Sequence, residues 1–159
     1  MSDLVSLDSH ATTPVDPEVF DAMRPFYTER FGNPGSHTHA HGWMAQEAVD
    51  TARVQVAELI GAAPGEVVFT SGATESNNLA IKGAAHARGD RGDHIVVVAT
   101  EHASVLNSCR RLERDGFRVT FLPVSTAGRL DLNWLEEQVT DRTVLVSARS
   151  EERRVGKEC

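Results

Sequence analysis

The chain has 159 residues, of which 40% are hydrophobic and 25% charged, as expected for an ordinary globular domain with a sizeable core. Its formal net charge of -7 argues against a general nucleic-acid or membrane-surface binder, because binding phosphate groups needs a basic face. The longest apolar stretch, residues 95–99, is far shorter than the roughly 20 residues of a membrane span, and residues 1–5 do not resemble a secretory signal. With only two cysteines, Cys109 and Cys159, we expect a cytoplasmic protein without a disulfide framework.

The amino-terminal part of the chain is predicted to form two helices. Pro17 favours a helix over about residues 16–27, because proline fits the first helical position. Across residues 42–60, apolar side chains recur on one helical face, and Gly61 lies where a helix usually ends.

From residue 66, predicted strands and helices alternate. The strands are residues 66–70, 94–99, 118–122 and 143–147, and the helices are residues 75–87, 104–115 and 132–138. Short links between alternating elements are typical of an α/β fold with a mostly parallel sheet and crossover helices. Ligands of such sheets bind beyond the carboxyl ends of the strands.

These patterns divide the chain into three parts. Residues 1–65 form an amino-terminal segment that leads into a partial α/β domain over residues 66–147. Residues 148–159 show no periodicity, and we expect them to be a non-native tail after a truncation; the alternative is a natural charged tail.

The turn before the predicted helix 75–87 is a candidate phosphate site. Gly72 allows the backbone to approach a ligand closely, and Thr74 can cap the helix. The first N–H groups of a helix lie at the positive end of its dipole and suit a phosphate, to which the Thr74 hydroxyl would add a donor. The alternative is an ordinary capped helix without a ligand, and spacing alone leaves both open.

His102 is the second candidate site residue. It follows the predicted strand 94–99 and therefore lies at the same edge of the sheet as the phosphate turn. A histidine there can present its flat ring to a cofactor or act near neutral pH. The alternative is a histidine on the loop surface that contacts no ligand.

Three alternating histidines, His37, His39 and His41, form a third candidate. On an extended strand they would share one side and could bind zinc or another transition metal. The preceding Asn-Pro-Gly of residues 33–35 instead favours a loop that enters the helix at Gly42. We therefore expect no metal, and a His-rich metal-binding module remains as an alternative of a different class.

Two reactive residue types outside the tail are not placed for catalysis. Cys109 shares an apolar stripe with Leu106 and Leu112, which predicts a buried, inert thiol. Lys82 lies two turns into the helix after the phosphate turn, which is not the position expected of a catalytic amine.

Four motifs follow one another in a recognisable order. They are LDSHATTP at residues 7–14, FGNPGS at 31–36 with His39 and Gly42 after it, SGATESNN at 71–78, and TEH at 100–102. Together they resemble the cysteine desulfurases, within the class V aminotransferase group of pyridoxal-phosphate enzymes. The resemblance covers nearly all of residues 5–147 and only the amino-terminal part of the family enzyme. It implies a truncated large domain of the fold-type-I pyridoxal-phosphate transferases.

The resemblance also implies roles for particular residues. Ala73 and Thr74 match the family positions that hold the phosphate of pyridoxal 5′-phosphate, and His102 matches the histidine that stacks on the pyridine ring. Asn33 and His39 match positions near the active site, to which we assign no catalytic role. The bound coenzyme acts as an electron sink.

The activity implied by the resemblance is cysteine desulfuration. Such an enzyme takes sulfur from L-cysteine as a cysteine persulfide, leaves alanine, and passes the sulfur to an acceptor protein for iron–sulfur cluster assembly or thiolation. A homodimer is implied as well. The substrate could instead be that of another class V enzyme, such as a selenocysteine lyase, because the present residues do not separate these substrates.

The catalytic residues of the family are not matched in this chain. The Schiff-base lysine and the persulfide cysteine are expected beyond the truncation, and neither Lys82 nor Cys109 matches their positions. We therefore expect the chain alone to be inactive and poorly stable. In this fold type the strand at residues 67–70 would also lack its sheet neighbours, and unpaired strand edges favour aggregation.

Overall fold

The computed structural model describes residues 13–149, so residues 7–12 of the first motif and the tail from residue 150 lie outside it. The helices are α1 (Pro17–Thr28), α2 (Ala40–Ile60), α3 (Ala73–Ala87), α4 (Ala103–Arg114) and α5 (Leu132–Gln138), and the strands are β1 (His94–Val98), β2 (Arg118–Leu122) and β3 (Thr143–Ser147). None of these helices is long and apolar enough to cross a membrane. The chain divides into two compact units after Val68, which are described separately.

In the first unit, α1 begins where the sequence predicts. Asp16 caps the helix by accepting a hydrogen bond from the backbone N–H of Glu18 at 2.8 Å, and Pro17 occupies the first helical position. Asp16 thus provides an acceptor for a free N–H group of the first turn, and Pro17 fits the first position because it needs no acceptor there. The apolar side chains of Val19 and Phe20 are more than half exposed within the described structure.

Helix α2 begins two residues before the predicted start. His39 caps it, because its Nδ1 accepts a hydrogen bond from the backbone N–H of Gly42 at 3.2 Å. A Cβ atom at position 42 would collide with the carbonyl of Ser36, so glycine allows the preceding loop to lie directly against the helix. The helix ends at Ile60, before Gly61, as predicted.

The prediction of a strand over residues 66–70 is wrong. Pro64–Glu66 form a turn of 3₁₀ helix, and residues 67–70 have no regular structure. A strand needs a hydrogen-bonded neighbour, and within residues 13–149 no other strand pairs with this segment. Instead, the guanidinium of Arg53 donates a hydrogen bond to the carbonyl of Val67.

The second unit contains a parallel sheet of three strands in the order β2-β1-β3. Its central strand, β1, pairs along its length with β2, from His94 beside Arg118 to Val98 beside Leu122. On the other side it pairs with β3, with an irregularity after His94. All five residues of β1 are buried. The predicted α/β fold with a parallel sheet and crossover helices is thus observed for these three strands.

The core of this unit lies between one face of β1 and the helices α3 and α4. The buried side chains of this cluster are Ile81, Ala85, Ile95, Val97, Val105, Cys109 and Leu112. Because both helices pack on the same residues, their amino-terminal ends are fixed near the carboxyl edge of the sheet, where the candidate site residues lie.

Candidate functional site

The turn before α3 is exposed, and Ala73 and Thr74 follow it as the first two residues of the helix. The helix cap is Gly72, with φ 154° and ψ -179°, a conformation that residues with side chains rarely adopt. Its carbonyl accepts the hydrogen bond of the Ser76 N–H at 3.0 Å. The prediction that Thr74 caps the helix is therefore wrong, because the helix begins earlier and Thr74 is its second residue.

Hydrogen-bond donors are available at this helix end. The first N–H groups of a helix have no acceptor within the helix, and at the start of α3 these belong to Ala73 and the residues that follow it. The Thr74 hydroxyl makes no hydrogen bond to any residue between 13 and 149. A Cβ atom added at Gly72 would meet no described atom within 4 Å, so the space beside the turn is open.

The turn is closed by a carboxylate on the first turn of α3. One oxygen of Glu75 accepts hydrogen bonds from the N–H and the hydroxyl of Ser71, both at 2.6 Å. The hydroxyl bond, and then the backbone bond, lower the pKa of Glu75 below its ordinary value. The donors of Ser71 are therefore occupied by an ionised carboxylate, and an anion at this turn would depend on the donors of Ala73 and Thr74.

His102 lies at the end of the loop that follows β1, where it caps α4. Its Nδ1 accepts a hydrogen bond from the backbone N–H of Ser104 at 3.1 Å, and its side chain is exposed. Because Nδ1 accepts, the neutral ring carries its proton on Nε2. Among residues 13–149, Nδ1 of the imidazole is thus hydrogen-bonded and Nε2 has no hydrogen-bond partner.

The structure connects the start of α3 to His102. The side-chain amide of Asn77 donates a hydrogen bond to Oγ of Ser104 at 2.8 Å, and that oxygen lies 2.9 Å from Nδ1 of His102. Asn77 is one turn beyond Thr74 on α3. The two predicted halves of the site are therefore joined by side chains at the same edge of the sheet.

Sequence reasoning missed four residues that organise this edge. Asn77 and Ser104 form the connection above, and the buried Glu101 accepts a hydrogen bond from the hydroxyl of Ser147 at 2.9 Å, which joins the ends of β1 and β3. The position of Ser104, two residues after a capping residue, could have suggested a local role. The contacts of Asn77 and Glu101 with distant residues left no such signal in the sequence.

The three alternating histidines do not lie on an extended strand. Residues 37–39 form a turn, and His39 and His41 lie at the cap and in the first turn of α2. The ring of His41 stacks on Phe31 with centroids 5.3 Å apart. Within the part of the chain that the structure describes, no three histidine, cysteine or carboxylate side chains form a group that could hold a metal ion. The predicted loop into α2 is confirmed, although it enters the helix at Ala40 and not at Gly42.

Cys109 and Lys82 have structural environments. Cys109 is fully buried, and burial, with the negative charges of Glu101 and Glu113, raises the pKa of its thiol to about 11. Lys82 donates a hydrogen bond from Nζ to the side chain of Asn78 at 2.7 Å. The prediction of an inert Cys109 is confirmed, since a buried thiol that resists ionisation is a poor nucleophile.

Comparison with known proteins identifies the family. The class V aminotransferase family matches residues 5–158. The chain belongs to this family. It is 54% identical over 150 residues to the cysteine desulfurase, mitochondrial, of Drosophila melanogaster, an alignment that covers 94% of this chain and 32% of that protein.

Solved structures agree with this assignment to the class V aminotransferases. A NifS-like protein superposes with a TM-score of 0.78 and 40% identity, over 87% of this chain and 38% of that one. The structure titled SspA in complex with cysteine gives a TM-score of 0.75 and 40% identity, over 87% and 40% of the two chains. The resemblance to cysteine desulfurases is thereby confirmed, and the chain spans about a third of the length of the Drosophila relative.

Proposed function

We propose that the complete protein is a pyridoxal-phosphate-dependent cysteine desulfurase, and that this chain supplies part of its coenzyme site. It would take sulfur from L-cysteine as an enzyme persulfide and leave alanine, for iron–sulfur cluster assembly or thiolation. The observation that carries the proposal is the side-chain connection between the start of α3 and His102, which joins two motifs of the family at one sheet edge. The 54% sequence identity to the Drosophila cysteine desulfurase supports L-cysteine as the substrate.

The residues at the start of α3 suit the phosphate of the coenzyme. We assign its binding to the backbone N–H groups of Ala73 and Thr74 and to the Thr74 hydroxyl, which are exposed at the positive end of the helix dipole. The open space beside Gly72 admits a ligand close to the backbone. These donors fix one end of the coenzyme.

His102 suits the other end of the coenzyme. We assign its exposed imidazole to stacking against the pyridine ring, which would orient that ring and exclude water from one of its faces. When bound, pyridoxal phosphate supplies an electron sink for bond cleavage at the substrate. In the neutral ring, the N–H at Nε2 of His102 is a hydrogen-bond donor.

We assign no catalytic role to Lys82 or Cys109. Lys82 is hydrogen-bonded on α3, and the thiol of Cys109 is buried and resists ionisation. The lysine that holds the coenzyme and the cysteine that carries the persulfide belong, in this proposal, to the remainder of the complete protein. By itself the chain would then bind the coenzyme but would not catalyse the release of sulfur from L-cysteine.

We further propose that the complete protein is a homodimer that passes sulfur to an acceptor protein in a reducing compartment such as the cytoplasm. Family membership supports the dimer and the acceptor. The free thiol of Cys109 in the core is compatible with a reducing compartment. Light scattering of the complete protein tests the dimer, which a monomer at micromolar concentration would contradict.

Coenzyme binding is tested by nuclear magnetic resonance on the 159-residue chain titrated with pyridoxal 5′-phosphate. We expect saturable shifts of the amide signals of Ala73 and Thr74 and of the ring signals of His102. Replacing Thr74 by valine keeps the shape and removes the hydroxyl, so Thr74→Val should weaken binding about tenfold, as for loss of one hydrogen bond to a charged group.

Thr51→Val is the matched control, because Thr51 is another exposed helical threonine, whose hydroxyl donates to the carbonyl of Glu47 at 2.9 Å. It should leave the affinity unchanged. If the coenzyme shifts no signal of residues 73, 74 or 102, or if both valine variants bind equally well, the proposed coenzyme site is wrong.

A further inference from the structure

Three side chains form a hydrogen-bonded series at the carboxyl edge of the sheet, in the order Asn77, Ser104, His102. Ser104 is buried and Asn77 is half-buried, so water has little access to the hydrogen bond between them. Its links measure 2.8 Å and 2.9 Å, and the first joins residues that are 27 positions apart. Asn77 and Ser104 belong to neither the phosphate donors nor the ring that would stack on the coenzyme.

The direction of the hydrogen bonds in this series follows from the donors that each group can supply. The NH₂ group of Asn77 can only donate, so Oγ of Ser104 accepts from it. The hydroxyl proton of Ser104 is then free to donate to Nδ1 of His102. Nδ1 already accepts the backbone N–H of Ser104, so it receives two donors and carries no proton in the neutral ring.

We propose that Asn77 and Ser104 are positioning residues that fix the orientation and the tautomer of the His102 imidazole. The ring is held with Nδ1 toward the protein and with the proton on Nε2, the nitrogen that remains free for a ligand. The use of this ring toward a coenzyme rests on the proposed function, whereas the positioning itself is a property of the chain without ligand.

The series also couples the two halves of the site. Thr74 and Asn77 are three residues apart on α3 and therefore lie on neighbouring positions of one helix face. A shift of the helix start that accompanies binding at Thr74 would move Asn77 and, through Ser104, the ring of His102. The helix that carries the phosphate donors and the stacking ring are thus connected by side-chain hydrogen bonds.

The positioning role is tested on the 159-residue chain with ¹⁵N-labelled histidine, by recording the ring nitrogens of His102 at a pH where the ring is neutral. Ser104→Ala removes the hydroxyl donor. Asn77→Asp keeps the shape but replaces the NH₂ donor by an acceptor, which redirects the hydroxyl proton of Ser104 away from His102. Both variants should shift the Nδ1 signal in the same direction.

Two further variants serve as controls. Asn78→Asp makes the same change one residue later on α3, outside the series, and should leave the His102 signals as in the unmodified chain. Ser104→Thr, unlike Ser104→Ala, keeps a hydroxyl and should leave the His102 signals as in the unmodified chain. If Ser104→Ala does not fold, Asn77→Asp at its half-buried position gives the same test.

A ring with its proton on Nδ1, or Nδ1 signals that Asn77→Asp leaves unchanged, would overturn the positioning role. Pyridoxal 5′-phosphate is added only afterwards, so the two proposals fail separately. If it shifts no signal of the unmodified chain, the proposed function fails and the positioning role still rests on the spectra without ligand. If it binds but the variants never alter the ring signals, only the positioning role fails.

Discussion

Two histidines at opposite ends of β1 have opposite environments. His94 begins the strand and is 2% exposed, and its ring nitrogens lie 2.9 Å from the hydroxyls of Thr143 and Thr120 on the neighbouring strands. His102, in the loop after the strand, is exposed and has one nitrogen held and the other free. The same residue type therefore joins three strands at one end and remains available to a ligand at the other.

The comparison shows how burial decides which hydrogen-bonding atoms of a polar side chain remain available. A buried ring with both nitrogens bonded has no capacity left for a ligand, and its loss removes the ring partner of the Thr120 hydroxyl and one of the partners of the Thr143 hydroxyl. An exposed ring with one satisfied nitrogen keeps its orientation and can still bind. At the amino edge of this sheet the buried histidine contributes to stability, and at the carboxyl edge the exposed histidine keeps one ring nitrogen without a partner among the described residues.

The largest expected effect is the loss of stability when His94 is removed, compared with the removal of His102. His94→Ala should lower the free energy of unfolding by about 3 kcal/mol, because it leaves a cavity and removes two partly buried hydrogen bonds of a buried side chain. His102→Ala removes a helix cap at an exposed position and should cost about 1 kcal/mol. Urea denaturation followed by circular dichroism measures both, and equal losses would show that the two ends of β1 do not differ as described.

A smaller effect is expected at the turn of the carboxyl edge. Gly72→Ala should lower the free energy of unfolding by about 2 kcal/mol, because the backbone at residue 72 adopts a conformation that is nearly restricted to glycine. Gly83→Ala on the exposed part of α3 is the control. It should stabilise the chain by up to about 1 kcal/mol, because alanine is the better helix former. Destabilisation by both substitutions would contradict the special geometry of the turn.

The smallest expected effect is a pH dependence that comes from His94. Burial, and then the positive charge of Arg118, lower the pKa of His94, while Asp93 acts in the opposite direction. As the pH falls below about 6.5, the unfolded chain takes up this proton first, so the stability conferred by neutral His94 is lost below that pH. Stability measured at several pH values should therefore decrease less toward pH 5 in His94→Gln, and identical slopes would disprove this role.

Much of the fold follows from local sequence patterns. Arg118–Leu122, Leu132–Gln138 and Thr143–Ser147 have the predicted bounds, because alternating or helical apolar patterns and flanking turns define them locally. Residues 66–70 have the composition of a strand, but a strand depends on neighbours that the described sheet does not provide. Composition alone could not reveal which strands pair.

The candidate site was predictable to a similar extent. The motif residues Ala73, Thr74 and His102 could be named, and the sheet edge on which they lie followed from the alternation of elements. The capping role of Gly72 and the contact of Asn77 with Ser104 could not, because the first depends on backbone angles and the second on packing between two helices. The role of His94 was missed for the same reason, since its partners lie on two other strands.

The strand order has a consequence for synthesis on the ribosome. Of the three strands, the central strand β1 is synthesised first and β3 last. The second side of β1 is therefore uncovered until Thr143–Ser147 have been made. Until translation has passed Ser147, four consecutive β-branched residues from Ile95 to Val98 present one open backbone edge. A nascent chain that stalls within this interval would expose a strand able to pair with other nascent chains.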